Sequence, residues 1–216
     1  MLKGAIFDMD GLLLDTERLY CESWIEAAKE FGQEPVEAFP RAVCGSSGQK
    51  MLDVIGEYYP AVEAEAFRDF CLYRVLDILQ REIPEKPGMR EILYFFHKHG
   101  VKMAVASSTK LATIKDSLGR LGVLPLFDAV VSGQQVKRGK PAPDIFLLAA
   151  EKLGCAPEEC YVFEDSANGI RAGAAAGCCT IMIPDLIEPD AELCRLADDI
   201  YGSLNEVIEA ILQGKI

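Results

Sequence analysis

A short apolar run, Ala5-Ile6-Phe7, that breaks off into Asp8-Met9-Asp10-Gly11 constrains this chain more than any other stretch. Runs of this kind fill strands buried on both faces. Side chains alternate along a strand, so carboxylates two residues apart project to the same side. Asp8 and Asp10 are therefore expected close together at the carboxyl end of a buried strand, where open α/β sheets bind ligands. Like charges so near each other need a counter-charge, and a divalent cation with hard oxygen ligands, magnesium above all, supplies one. A solvated Asp-Gly turn accounts for the same residues, so the remaining chain has to decide.

From Thr16 to about Gln80 the periodicity is helical. Leu19, Ser23, Ala27 and Phe31 fall at near-helical spacing with Trp24 widening the stripe, and Gly32 offers a stop. Residues 35–44 read as a short helix and 45–48 as a turn. Met51, Leu52, Ile55 and Tyr59 predict a helix halted near Pro60, and residues 61–80 a longer one. Beyond a Pro-rich connector at 82–88, helix and strand alternate. Strands are predicted at 101–106, 129–131, 160–163, 179–183 and, weakly, 199–201, with helices at 89–99, 110–121, 143–153, from Ser166 to Gly177, and 204–212. Such alternation implies right-handed crossovers and a parallel sheet. The expectation is an α/β core of residues 1–15 and 82–216, with a helical bundle of residues 16–81 inserted after the first strand.

Composition excludes several classes of function. Half of the 216 residues are hydrophobic, enough for a core. No apolar run reaches the length of a membrane span and no signal-peptide pattern precedes Asp8, so the chain reads as cytoplasmic. Its net charge of −12 argues against general nucleic-acid binding. The eight cysteines contain no CxxC pair and lie in apolar segments, so free buried thiols are expected rather than zinc or disulfides. His97 and His99 sit at a helix end and read as structural or surface residues. Nothing in the sequence fixes an oligomeric state, and a monomer is compatible with it.

Four strand ends carry polar groups: Asp8 and Asp10, then Ser107-Ser108, then Lys140 in the loop after the third strand, then Glu164-Asp165. In a parallel sheet all four loops open on one edge. Together they suit phosphoryl transfer, which is mostly positioning and charge neutralisation. One carboxylate can attack phosphorus and another can protonate the leaving oxygen. Glu164 and Asp165 can complete a magnesium shell, Ser107 can hold phosphate oxygens, and Lys140 can neutralise the charge. Each residue also has an ordinary structural reading, Ser107 as a helix N-cap and Glu164-Asp165 as an acidic turn before a helix. Four such coincidences at successive strand ends are harder to accept than one site.

The segments FDMDGLLLDTE, ASST, GKPAPDIF and FEDSANGI, in that order, resemble the four motifs of the haloacid dehalogenase-like superfamily, in particular its β-phosphoglucomutase and sugar-phosphate phosphatase branch. The resemblance covers essentially the whole chain. It implies a Rossmann-like core under a helical cap, with Asp8 as nucleophile and Asp10 as general acid and base. Thr16 would lie at the hinge, and Ser107, Ser108 and Lys140 would bind phosphate. Asp8, the backbone carbonyl of Asp10, Glu164 and Asp165 would bind Mg2+, and the substrate would be a small phosphorylated metabolite.

Departures from the branch also carry information. Where β-phosphoglucomutases have a cap histidine, four residues past the hinge threonine, this chain has Tyr20, and where they carry a phosphate-binding arginine it aligns Gly48. Both count against a mutase, the alternative activity, and favour hydrolysis of a sugar phosphate. Asp10 disfavours a dehalogenase, whose halide leaves without a proton. A metal-holding Asp-x-Asp also occurs in nucleotide-sugar glycosyltransferases, but not usually with a strand-end lysine and second acid pair. A retired enzyme scaffold that senses phosphate would have no reason to keep both motif-one carboxylates. In the helical region Tyr20, Trp24, Tyr58 and Tyr73 read as packing residues. Arg18, Ser46, Ser47, Arg68 and Arg74 read as solvated surface or as specificity residues.

Overall fold

The computed structural model describes residues 2–44, 46 and 48–216. It divides into two compact units, Met1–Leu14 with Glu85–Ile216, and Asp15–Pro84. In the first unit six strands form one parallel sheet: β1 (Gly4–Phe7), β2 (Lys102–Ser107), β3 (Ala129–Ser132), β4 (Cys160–Glu164), β5 (Cys179–Met182) and β6 (Asp199–Ile200), in the order β3-β2-β1-β4-β5-β6. β1 is thus central, and its acidic exit is flanked by the ends of β2 and β4. Every residue of β1 and β4 is buried, as the apolar runs Ala5-Ile6-Phe7 and Cys160-Tyr161-Val162-Phe163 require, with Glu164 the buried acid at the end of β4. Gly4 lets β1 and β4 approach, since a Cβ there would stand 2.7 Å from the Cys160 sulfur.

Among the described residues, the helices of the second unit come first in chain order: α1 (Thr16–Glu30), α2 (Phe39–Val43), α3 (Gly48–Tyr58) and α4 (Ala64–Arg81). The first unit adds α5 (Met89–Lys98), α6 (Leu111–Arg120), α7 (Asp144–Leu153), α8 (Ala167–Ala176), α9 (Leu193–Leu196) and α10 (Leu204–Leu212). Period-two alternation splits the sheet's side chains between two layers. Ile6, Ala104, Val131 and Val162 pack with Ile145, Phe146 and Ala149 of α7 and Ala172 of α8. On the other face Phe7 stacks on Phe163 at 4.9 Å between ring centroids and meets Phe96 of α5 edge-on at 6.0 Å.

In the second unit Trp24, Phe39, Ile55, Tyr59 and Phe67 form a separate core, with Trp24 stacked on Phe67. The α4 helix begins at Ala64 rather than near residue 61, because the Glu63 carboxylate accepts from the N–H groups of Glu65 and Ala66 and so caps it. Trp24 is buried, and Tyr20 and Tyr58 pack against the core as expected. Tyr73 does not, being 70 % exposed on the face of α4 opposite Phe67, Cys71 and Val75. Ser46 is buried, its hydroxyl donating to Val43 O, and is not solvated surface. Arg18 pairs with Asp15 and Glu22, Arg68 with Asp69 and Arg74 with Glu26. Ser47 lies outside the described residues. At the junction of the units, Leu14 and Glu85 form an antiparallel bridge in one, and Asp15 N–H donates to Pro84 O in the other.

All eight cysteines are free thiols, but the expected burial holds for only three, Cys71, Cys160 and Cys178; Cys194 is exposed. Burial pushes the Cys160 and Cys178 thiols up to about 12 and Cys71 further up still. A thiol-specific reagent at about pH 8 is therefore expected to modify Cys194 first and to reach these three only after denaturant is added. Peptide mapping by mass spectrometry checks it, and rapid labelling of Cys71 in the native protein would contradict the packing. Among the described residues no helix is long and apolar enough to cross a membrane.

Candidate active site

The parallel topology brings the four polar strand ends to one edge of the sheet. Asp8 follows β1 directly, its N–H donating to Phe163 O of β4, and is 7 % exposed. Lys140, from the loop after β3, reaches across to it. Its ammonium lies 2.5 Å from Asp8 Oδ1, 2.6 Å from Glu164 Oε1 and 3.2 Å from Ala106 O, and 4.9 Å from the Phe146 ring centroid. Glu164, fully buried, accepts on Oε2 from the N–H groups of Asp165 and Ser166 and from the Ser166 hydroxyl. Ser166 also caps α8 through Gly169 N–H. One buried carboxylate thus joins the site lysine to the start of a helix.

Burial pushes the Asp8 carboxyl up, to about 7, with Glu164 and Asp10 adding to the rise and Lys140 opposing it. For Lys140 burial works against the charge, but Asp8 and Glu164 outweigh it and hold the ammonium above its ordinary value. Two carboxylates, Asp8 and Glu164, face this ammonium from two neighbouring strand ends, and Asp165, next to Glu164 in the chain, is buried as well.

On the other side of β1, the Asp10 carboxylate accepts from Ser107 Oγ at 3.3 Å and from Thr109 Oγ1 at 2.8 Å. Ser107 is the last residue of β2 and does not cap α6. Its hydroxyl instead accepts from Thr109 N–H, and α6 starts only at Leu111. Ser108 is exposed. Thr16 opens α1 in the other unit, where it is buried. Within the first unit, then, Asp8, Lys140 and Glu164 are in direct contact and Asp10 bonds Ser107. Thr109, Ser132, Ser166 and Gly169 are additional residues around the site. Ser166 is readable as a helix N-cap, whereas no sequence signal ties Thr109 to Asp10.

The donor set suits magnesium chemically: hard oxygens carrying more negative charge than Lys140 cancels, in a place where burial makes that excess costly. Glu164 Oε1 gives one lone pair to Lys140 and keeps the other. Among the described residues, however, no three such side chains converge on one point as they stand.

Gly169 sets the space that Glu164 occupies. A Cβ there would fall 1.8 Å from the Glu164 carboxylate, which four donors pin in place. Gly169→Ala is therefore expected to push Glu164 off Lys140 and to cost about 1–3 kcal/mol, as overpacking does. Urea denaturation checks it, and a wild-type midpoint would mean that Glu164 is not pinned.

Comparison with known proteins identifies the family. The sequence profile of the haloacid dehalogenase-like hydrolases matches residues 2–177. The phosphorylated carbohydrates phosphatase of Thermotoga maritima is 36 % identical, over 82 % of this chain and 82 % of its own. The fructose-1-phosphate phosphatase of Escherichia coli is 36 % identical over 81 % of this chain and 92 % of its own. Among solved structures, a hydrolase of the same family from Deinococcus radiodurans, with bound phosphate and sodium, superposes with a TM-score of 0.85 at 27 % identity, covering 98 % of this chain and 96 % of its own. A β-phosphoglucomutase from Clostridium difficile superposes with a TM-score of 0.75 at 25 % identity over 100 % and 97 % of the two chains. With this fold and these motifs, the chain belongs to the haloacid dehalogenase-like hydrolase family and stands among its phosphatases.

Proposed function

We propose that this protein hydrolyses phosphate monoesters of small carbohydrates, with magnesium as cofactor and Asp8 as nucleophile. The observation that carries the reading is the Asp8 carboxylate at the end of the central strand, held 2.5 Å from the Lys140 ammonium, with Asp10 fixed beside it by the β2 loop. The similar proteins named for phosphorylated carbohydrates and fructose 1-phosphate support the substrate class.

Asp8 attacks phosphorus, forming an aspartyl phosphate as the ester P–O bond breaks. Asp10 gives its proton to the departing alkoxide, then takes one from water, and the resulting hydroxide attacks phosphorus and releases Asp8 and inorganic phosphate. Lys140 and the Ser107 hydroxyl neutralise the phosphoryl oxygens, with Ser108 beside them. Held by Asp8, the Asp10 main-chain carbonyl, Glu164 and Asp165, magnesium would offset charge on both the phosphoryl group and the carboxylates. The helical unit, Asp15–Pro84, acts as the cap that selects the ester, with Thr16 at its hinge.

The mutase alternative requires a cation for a second phosphate. Of the three candidates in the helical unit, Arg18 and Arg74 are already engaged by carboxylates there, which leaves the exposed Lys50 of α3 as the place to look for that cation. A phosphorus NMR time course with sugar monophosphates, including β-glucose 1-phosphate, tests the reading. Magnesium-dependent release of phosphate is expected, with little isomerised product even when a bisphosphate primer is added. Isomer accumulating faster than phosphate would establish the mutase, and undiminished turnover in excess chelator would remove magnesium.

A further inference from the structure

We propose that Thr109 is a positioning residue for Asp10, held in place by Ser132 at the end of the neighbouring strand. The proposal rests on Asp10 being the general acid. The β2–β3 register sets Ser107 opposite Ser132. From there the fully buried Ser132 hydroxyl donates to Thr109 O at 2.6 Å, while Thr109 N–H donates to Ser107 Oγ at 3.0 Å. Both backbone groups of Thr109 are thereby tied to two strand ends, and its hydroxyl is aimed at Asp10 Oδ2 at 2.8 Å.

Ser107 also touches Oδ2, but at 3.3 Å, and it is the hydroxyl assigned to the substrate's phosphoryl group. When phosphate takes that hydroxyl, Thr109 retains the carboxylate. A threonine hydroxyl suits this task because it both donates and accepts. It can donate to ionised Asp10 and, by rotating, accept from the protonated acid, so the same contact serves before and after proton transfer. Valine has the same shape but can do neither.

The experiment measures kcat/KM for 4-nitrophenyl phosphate and phenyl phosphate, whose leaving groups differ in their need for a proton. Wild type, Thr109→Val, Thr109→Ser and Asp10→Asn are compared, with thermal unfolding of each. Thr109→Val is expected to lose roughly 10- to 100-fold on phenyl phosphate, the range that one hydrogen bond to a charged group supports, and much less on the nitrophenyl ester. Thr109→Ser should recover most of the loss. Equal losses on both esters in Thr109→Val, or no recovery with serine, would assign Thr109 a purely structural role and overturn the inference. If Asp10→Asn itself shows no dependence on the leaving group, the assignment of Asp10 as general acid fails instead, and the inference with it.

Discussion

Asp8→Asn is expected to lower kcat/KM for every phosphate ester by at least about 10⁴-fold, because catalytic groups that act as a unit fail together when the nucleophile is removed. It should nevertheless fold. Lys140 would keep Glu164 Oε1 at 2.6 Å and the Ala106 carbonyl at 3.2 Å, so its charge stays paired when Asp8 becomes an amide. The Asp8 carboxyl is itself raised by desolvation. A neutral side chain of the same shape therefore relieves a burial cost as it removes an ion pair. Rapid-quench mass spectrometry should find a phosphorylated peptide containing residue 8 in the wild type and none in the variant. Asp10→Asn separates the roles: it should still accept a phosphoryl group from activated aryl esters, whose leaving groups need little protonation, and then lose it slowly. Identical behaviour of the two variants across leaving groups would mean that the roles are wrongly divided.

The sheet and the acidic strand end were readable because each follows from a local pattern. Ala5-Ile6-Phe7 is buried throughout as its apolar run demands, and Asp8 follows it at once. The alternation of strand and helix was enough for a parallel sheet, and a parallel sheet is enough to put Lys140 and Glu164 on one edge with Asp8. The contacts beyond that depend on sheet register and on helix entry, which no window of sequence contains. Thr109 and Ser132 are 23 residues apart and meet only because β2 and β3 pair as they do. Gly169 reads as a small residue in a helix's first turn; that its missing Cβ is where Glu164 lies appears only once β4 and α8 are joined. Tyr73 failed differently. Phe67, Cys71 and Val75, at spacing four, mark the buried stripe of α4, and Tyr73 falls opposite it, so the periodicity already argued against packing.

Lys140→Met should destabilise the protein more than any other single change at the site. The lysine side chain is 7 % exposed, and its partners Asp8 and Glu164 are 10 % and 0 % exposed. Methionine fills a comparable apolar volume but leaves two buried carboxylates facing each other without a cation. Removing one partner of a buried ion pair costs about 3–5 kcal/mol. The pH dependence distinguishes this cause from lost packing. In the wild type the Lys140 pKa is raised, so its stabilisation is fully present below the unfolded lysine value and is lost only as pH climbs through the folded one. In the variant the Asp8 carboxyl, already raised by burial, loses the ammonium that opposed the rise and should move further above its unfolded value, a cost that applies at neutral pH and fades as acid protonates it. Urea unfolding in chelator at about pH 5 and about pH 8 should therefore show a smaller deficit, relative to wild type, at the lower pH. A deficit of the same size at both would mean that packing rather than charge makes Lys140 necessary. Lys140→Arg completes the argument. It keeps the charge but brings a planar fork into a space shaped for a point charge, so it should recover more of the stability than of the turnover.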